Sequence, residues 1–144
     1  MYNDIKNYLI ILVIFLVIDL PVILDLNADM YQKHFNDINK GPMNIGMNTW
    51  IGASTAYLLL ALGIYFFVVK PYTENNMIND IDYRSVLIKS SLFGLITYGV
   101  YNGTNIATIN MYNMDVAIHD TIWGIVLCSI VSVIFINFKV RNIF

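Results

Sequence analysis

Amide, hydroxyl and phenol side chains lie inside an apolar stretch of the sequence, between residues 98 and 108. These polar residues are Tyr98, Tyr101, Asn102, Thr104, Asn105 and Thr108. A polar group in hydrocarbon costs free energy unless it is paired, so each one must face other protein, an ion, a ligand or trapped water. Their spacing of three and four residues places most of them on one face of a helix. Such a face could bind a small molecule or an ion.

Two carboxylates lie in segments that a bilayer would enclose. Asp19 follows an apolar run of 11 residues, 8–18, which covers only about half of a ~30 Å hydrocarbon core. Asp19 is therefore predicted to lie inside the membrane. Asp120 and Asn105 each lie four residues from the outer end of their segments. All three are predicted within about 6 to 11 Å of the outer boundary, and Trp123, one turn after Asp120, is predicted to face the same layer.

A carboxylate at membrane depth costs ~2.5 to 3.5 kcal/mol on insertion scales, so Asp19 and Asp120 need compensation. No Lys or Arg is predicted at that depth. The compensation could be a proton, a bound cation or hydrogen bonds. The candidate hydrogen-bond donors are Tyr98, Tyr101, Asn102, Thr104 and Asn105. The alternative to a ligand site is a closed network that specifies helix packing, which is favoured for any single residue but not for the cluster as a whole.

The composition is that of an integral membrane protein. Of 144 residues, 58% are hydrophobic and 12% are charged, with a mean hydropathy of +0.63, unlike a soluble domain. Apolar segments at residues 8–26, 49–69, 86–109 and 116–138 each approach the ~20 residues that a spanning helix needs. Isolated strands cannot satisfy their backbone in lipid, so all of them are predicted to be helices. The sequence thus predicts an all-α fold, a single four-helix transmembrane bundle over residues 1–144.

The positive charges predict an orientation for the bundle. Six Lys or Arg residues flank the segments on the side of the termini, and Lys33 and Lys40 lie on the other side. Because cytoplasmic loops carry the excess of positive charge, both termini are predicted to be cytoplasmic. The tight connection at residues 110–115 predicts that the third and fourth helices form an antiparallel hairpin.

The first outer connection, residues 27–48, has two interpretations. Tyr31, Phe35 and Ile38 recur at helical spacing, which favours a short amphipathic helix on the membrane surface. A solvated loop with scattered aromatic residues fits equally well, and His34 is interpreted as a loop residue.

Other functional classes have little support. A net charge of −2 with scattered basic residues argues against nucleic-acid binding. No nucleophile triad, zinc-protease motif or phosphate loop occurs, so no cofactor and no catalytic residue is predicted. His119 adjoins Asp120, but neighbours in a helix diverge by about 100°, and no metal site is predicted there.

The chain resembles a family of small four-helix predicted membrane proteins that is catalogued as a domain of unknown function. The resemblance rests on the polar run of residues 98–108 in the third helix, on Asp120, Trp123 and Gly124 in the fourth, and on Asp19 and Pro21 in the first. It implies a four-helix membrane fold and no activity. The family pattern carries an acid where this chain has Asn102, which weakens any proton-relay hypothesis here.

Three functional hypotheses follow. The first is a multi-pass membrane protein whose polar site, in the outer leaflet, binds or moves a small molecule or ion. The second is a structural protein or anchor that forms a homo-oligomer or a larger membrane assembly, for instance in the internal membrane of a large DNA virus. The third is a lipid-acting enzyme with Asp19 and Asp120 as acid and base, which ranks last because nothing in their spacing singles out a reaction. In each case the lipid bilayer is a partner.

Overall fold

The computed structural model describes residues 2–42, 45–74, 81–141 and 143. Helices dominate this part of the chain and it contains no strand, which confirms the all-α prediction. The helices are α1 (Tyr2–Pro21), α2 (Ala28–Asn39), α3 (Met47–Gly63), α4 (Lys70–Glu74), α5 (Tyr83–Thr108) and α6 (Met114–Val140). Two π-helical segments join this order, Val22–Leu26 after α1 and Ile64–Val69 between α3 and α4.

Three continuous helical stretches in the described residues are long and apolar enough to cross a membrane. They are Asn3–Leu26, Met47–Thr73 and Met114–Val140. They correspond to the first, second and fourth predicted spans, so the chain is a multi-pass membrane protein. The third predicted span is α5, which has 26 residues but lies outside this set because its polar side chains lower its mean hydropathy. That α5 also spans the membrane, and that both termini are cytoplasmic, therefore stay predictions.

The helix does not end at Pro21 but changes its hydrogen-bonding register. Proline has no N–H to donate and its ring crowds the preceding turn. The backbone continues past Pro21 as the π-helical segment Val22–Leu26, and the N–H of Asn27 donates to the carbonyl of Val22 over 2.8 Å. This wider π-helical turn continues the helix through Asp25 to Leu26. α2 then begins at Ala28.

The connection between the first and second spans contains a helix. α2 begins at Ala28 and ends before Lys40, whose backbone is left-handed with φ of 54°. The interpretation of a solvated loop is therefore wrong, because the apolar and aromatic residues of this segment recur at helical spacing and one face packs against α6. The interpretation of His34 as a loop residue is wrong as well: it lies within α2 and is only 3% exposed.

α5 and α6 form the predicted antiparallel hairpin. α5 ends at Thr108, and α6 begins at Met114 after a short turn. The Asn113 side chain caps α6 by accepting hydrogen bonds from the backbone N–H groups of Asp115 and Val116, which satisfies donors that a helix start leaves unpaired.

The apolar core lies in the half of the molecule nearer the termini. α1 packs on both α3 and α6, and its Ile11 and Phe15 are fully buried beside Tyr65, Leu127 and Phe135. The outer half of α3 is different, since residues 50–56 are all exposed. Polar side chains rather than apolar ones join the helices on the outer side of this core.

Candidate functional site

Asp19 is held between two other helices. Its side chain is 3% exposed. The Tyr57 hydroxyl of α3 donates to Oδ2 over 2.8 Å, and the Trp123 Nε1–H of α6 donates to Oδ1 over 2.7 Å. The ring of Tyr57 also stands edge-on to Phe15, with centroids 5.7 Å apart. One buried carboxylate therefore ties α1, α3 and α6 together at one depth.

Asp120 makes an equivalent pair of hydrogen bonds from the other side. The Tyr31 hydroxyl of α2 donates to Oδ1 over 2.9 Å, and the Asn102 amide of α5 donates to Oδ2 over 2.7 Å. Because Trp123 follows Asp120 by one helical turn, the two carboxylate groups lie at neighbouring levels of the same bundle interior.

Asn102 is the centre of the second group. It is 2% exposed, and its amide also donates to the Tyr98 carbonyl over 3.0 Å. Its own Oδ1 accepts from the Tyr112 hydroxyl over 2.8 Å, and the Asn105 amide lies 3.4 Å from that hydroxyl. We call the whole set the polar layer. Its members are Asp19, Tyr31, Tyr57, Asn102, Asn105, Tyr112, Asp120 and Trp123.

The donors in the polar layer are neutral. Phenol, indole and amide groups bond the two carboxylates, and the described residues form no salt bridge to either one. Burial raises the pKa of Tyr31, so this phenol keeps its proton and donates. No group of three or more His, Cys, Asp or Glu side chains capable of holding a metal occurs within the described ranges. In this conformation the layer is a set of paired acceptors without a compensating positive charge.

The structure brings together most of the predicted site residues. Asp19, Asn102, Asn105, Asp120 and Trp123 converge, as their predicted depth required. Tyr98 lies beside them, and its ring covers Gly124, where any side chain would collide with it. Whether these residues bind a ligand stays a prediction.

Three predicted residues lie outside the polar layer. Thr104 and Thr108 are exposed and donate to backbone carbonyls one turn earlier, those of Val100 and Thr104. Tyr101 is 55% exposed, but its side chain interacts with Tyr112, a member of the polar layer. The expectation that the whole polar face of α5 meets a shared axis is wrong for Thr104 and Thr108. Successive helical residues diverge by about 100°, so the polar residues of α5 cannot all turn inward with Asn102.

Sequence reasoning missed Tyr31, Tyr57 and Tyr112 as partners of the site. In the sequence, Tyr31 is one aromatic residue of the amphipathic pattern of residues 27–48. Tyr31 and His34 are three residues apart and therefore share one face of a helix. That shared face is the one signal in the sequence that Tyr31 could turn toward the other helices. Tyr57 and Tyr112 gave no signal, because their roles depend on how α3 and the α5–α6 turn are placed around α1.

His34 packs against the polar layer at Tyr112, in the turn between α5 and α6. Its ring stands perpendicular to that of Tyr112, with centroids 4.6 Å apart. Neither ring nitrogen has a hydrogen-bond partner among the described residues, and both are buried. Burial lowers the pKa of His34, while Asp37 on its own helix and Asp120 on α6 oppose that shift.

Acidification is expected to loosen α2. Because the pKa of His34 is lowered in the fold, the unfolded chain binds the proton more readily, and stability falls as pH falls. The contribution is complete above about pH 6.5, the ordinary pKa of histidine, and is lost progressively below it. Hydrogen exchange of the α2 amides, corrected for its intrinsic pH dependence, should become several-fold faster than that of α6 at about pH 5.5.

The control for this prediction is His34→Phe. Phenylalanine keeps a ring against Tyr112 but cannot titrate, so the excess exchange of α2 at low pH should disappear. If the variant keeps the same pH dependence, another group is responsible and the prediction fails.

A family model described as predicted membrane protein (DUF2177) matches residues 4–136. No curated protein and no solved structure matches the chain. The matched range runs from the first turn of α1 to near the end of α6 and contains every member of the polar layer.

Proposed function

The chain belongs to the DUF2177 family of predicted membrane proteins, and from that premise we propose that its polar layer binds a small cation, a proton included, at neutral pH. The family carries no assigned activity, so the proposal rests on the chemistry of the layer. We further propose that the chain folds as a four-helix bundle in which α5 is the third of four spans and both termini are cytoplasmic.

One observation carries the proposal. Asp19 and Asp120 are each bonded by two neutral donors and by no cation within the described residues. Neutral donors stabilise a carboxylate but leave its charge, and uncompensated charge at membrane depth is costly. Two such groups at neighbouring levels also repel each other. A bound cation or proton would lower the free energy of this arrangement.

The surrounding geometry supports binding within the bundle. Five of the eight members of the polar layer are phenols or amides, which offer oxygen atoms that could turn toward a hard cation. A proton would need no such rearrangement, since one carboxyl oxygen could hold it beside an existing donor.

A structural role is the second candidate, and one observation favours it. Every carboxylate oxygen of Asp19 and Asp120 already has a partner, so the layer is a closed set of interhelical bonds. Such bonds specify packing in membrane proteins. The exposed outer half of α3, with Trp50 and Ile51, would then pack against another copy or another membrane protein.

Removing the charge of either carboxylate should remove cation binding. Asp19→Asn and Asp120→Asn keep the side-chain shape, and Asp25→Asn is the matched control because Asp25 lies in the adjacent π-helical segment and is exposed. The purified protein in nanodiscs is titrated with Na⁺, K⁺ and Mg²⁺ at constant ionic strength. A cation at a hundredfold its Kd should stabilise the wild type by about 2.7 kcal/mol, and the same titration should leave the Asp19 and Asp120 variants unchanged.

Infrared spectra of the wild type and the three variants test whether the bound cation is a proton. A carboxylic acid carbonyl band at neutral pH that disappears in Asp19→Asn or Asp120→Asn, but not in Asp25→Asn, would identify a bound proton. If no salt stabilises the wild type and both residues absorb only as carboxylates, the proposal fails and the structural role stands.

A further inference from the structure

One side of the bundle is open, between α3 and α5. Within the described residues, the α3 backbone approaches α1 and the π-helical segment Ile64–Val69 but neither α5 nor α6. α3 and α5 meet where α3 ends, since the Phe93 ring of α5 fills the space beside Gly63. From there toward Met47 the two helices separate, and residues 50–56 of α3 are all exposed. We call this opening the lateral seam.

The Tyr98 hydroxyl lies in the bundle interior behind the lateral seam. The Tyr98 ring packs on Gly124 of α6, and Asp19 of α1 and Tyr57 of α3 lie within electrostatic range of the hydroxyl. The other sides of the interior are closed, because α1 packs on α3 and on α6, and α5 packs on α6. A molecule can therefore reach this hydroxyl from the side, between α3 and α5.

The Tyr98 hydroxyl has no hydrogen-bond partner among the described residues. Asn102 bonds the backbone carbonyl of Tyr98 and not its side chain. The unpaired polar atoms that are fully enclosed belong to Asn7 and His34, so the Tyr98 hydroxyl keeps some accessible surface. A phenol can donate one hydrogen bond and accept others, and an unpaired polar group at membrane depth is unfavourable. This hydroxyl is a reachable contact that the protein itself does not use.

The charge of the interior selects the kind of molecule that fits the lateral seam. Asp19 and Asp120 both act electrostatically on the Tyr98 hydroxyl, and their hydrogen-bond donors within the described residues are neutral. Two carboxylates of this kind repel an anionic head group and attract a positive one. The exposed surfaces of both helices are apolar, for example at Leu59 of α3 and Ile96 of α5. A molecule that enters from the bilayer therefore needs an apolar body as well as a positive charge.

We propose that the lateral seam binds a long-chain amine in its ammonium form. The ammonium group donates a hydrogen bond to the Tyr98 hydroxyl oxygen, and its hydrocarbon chain lies between α3 and α5. Its charge offsets that of Asp19 through space, while Asp19 keeps its bonds to Tyr57 and Trp123. The proposal rests on the cation binding proposed above and names the chemical class of the cation.

Three probes with the same hydrocarbon chain test the choice of head group. Dodecylamine, dodecanol and dodecanoate are each added to nanodiscs at equal mole fractions of the lipid. The protein carries Trp50→Phe, which leaves Trp123 as its one indole, because the chain has two tryptophans. Dodecylamine should change the Trp123 fluorescence saturably. Dodecanol should bind at least about tenfold more weakly, because it lacks the charge, and dodecanoate should give no saturable change.

Variants then locate the contact. Tyr98→Phe removes a hydroxyl that bonds no described residue, so the fold should be kept while dodecylamine binding weakens about tenfold. Tyr83→Phe is the matched control, because the Tyr83 hydroxyl bonds Asn137 at the opposite end of α5, and it should bind dodecylamine as the wild type does. Ethylammonium has the head group without the long chain and should give no saturable change. Equal dodecylamine affinities of the two tyrosine variants would contradict the proposal.

Failure of this proposal can be distinguished from failure of cation binding at the polar layer. If Na⁺, K⁺ or Mg²⁺ stabilises the wild type but the three probes respond alike, the lateral seam is not an amine site and cation binding stands. If dodecylamine binds selectively and the salts have no effect, the amine proposal stands without the inorganic cations. The absence of a saturable response to dodecylamine overturns the amine proposal whatever the salts do.

Discussion

Replacing Gly94 by valine is expected to force α5 and α6 apart and to destabilise the protein by about 3 kcal/mol, the upper part of the range for overpacking. A Cβ atom at Gly94 would lie 2.5 Å from the carbonyl oxygen of Gly124 and 2.8 Å from the Cα of Ile125. These obstacles are backbone atoms, which cannot move aside as a flexible side chain can. The new side chain can therefore be accommodated only if the two helices separate.

The matched control is Gly103→Val in the same helix. A Cβ atom there meets nothing within 4 Å, and valine forms helices more readily than glycine. Equilibrium unfolding in mixed micelles, followed by circular dichroism, should show a large loss for Gly94→Val and little change for Gly103→Val. Similar stabilities for the two variants would mean that the hairpin contact is looser than the structure has it.

The close approach at Gly94 also positions the polar layer. Asn102 lies about two helical turns after Gly94 on α5, and its 2.7 Å bond to Asp120 requires the two helices to stay in close contact. The Tyr98 ring lies between Gly94 and Asn102 along α5 and packs on Gly124. It can do so because Gly124 has no side chain. Small residues thus set the interhelical distance at which a short amide side chain can reach the carboxylate, a common arrangement in membrane helix pairs.

The sequence could predict that Asp19, Asn105 and Asp120 lie at similar levels along the bundle, but it could not predict their full set of partners. Asp19, Asn105 and Asp120 were predicted to share a layer because depth is a count of residues along helices of known rise. Their partners depend on rotation and on neighbour order around the bundle, which the count does not contain. Tyr57 illustrates this, since nothing in the nearly uniform apolar pattern of α3 distinguishes the one phenol that turns toward Asp19.

α2 shows a second limit of the sequence analysis. Tyr31 and His34 are three residues apart on one helix face, and both turn inward, Tyr31 to Asp120 and His34 to Tyr112. A short amphipathic helix can lie on a membrane or pack on protein with the same residue pattern. Only the contact with α6 decides that this face covers the polar layer, and it makes His34 a buried residue.

Replacing Trp123 by phenylalanine is expected to destabilise the protein by about 1.5 to 3 kcal/mol, the value of a hydrogen bond to a charged group. The indole N–H donates to Asp19 over 2.7 Å, and phenylalanine leaves that buried oxygen without a donor. Trp50→Phe is the control, because Trp50 is 67% exposed on α3 and should tolerate the change within about 0.5 kcal/mol. Urea or guanidinium unfolding in mixed micelles measures both variants, and equal losses would contradict the prediction.

A double-mutant cycle between Trp123→Phe and Asp19→Leu extends this prediction to the charge of Asp19, because leucine has no atom that can accept from the indole N–H, whereas asparagine would keep one. The cycle removes the packing loss that comes with the smaller ring and leaves the energy of the interaction itself. Hydrogen bonds to charged groups contribute about 1.5 to 3 kcal/mol and neutral ones about 0.5 to 1.5. A coupling above about 2 kcal/mol would show that Asp19 is a carboxylate, so that a bound proton would have to lie on Asp120. A coupling below about 1 kcal/mol would show that the bound cation is a proton on Asp19 itself. Tyr57→Phe, which deletes only the hydroxyl that bonds Oδ2, should give the same answer from the other side of the carboxyl group.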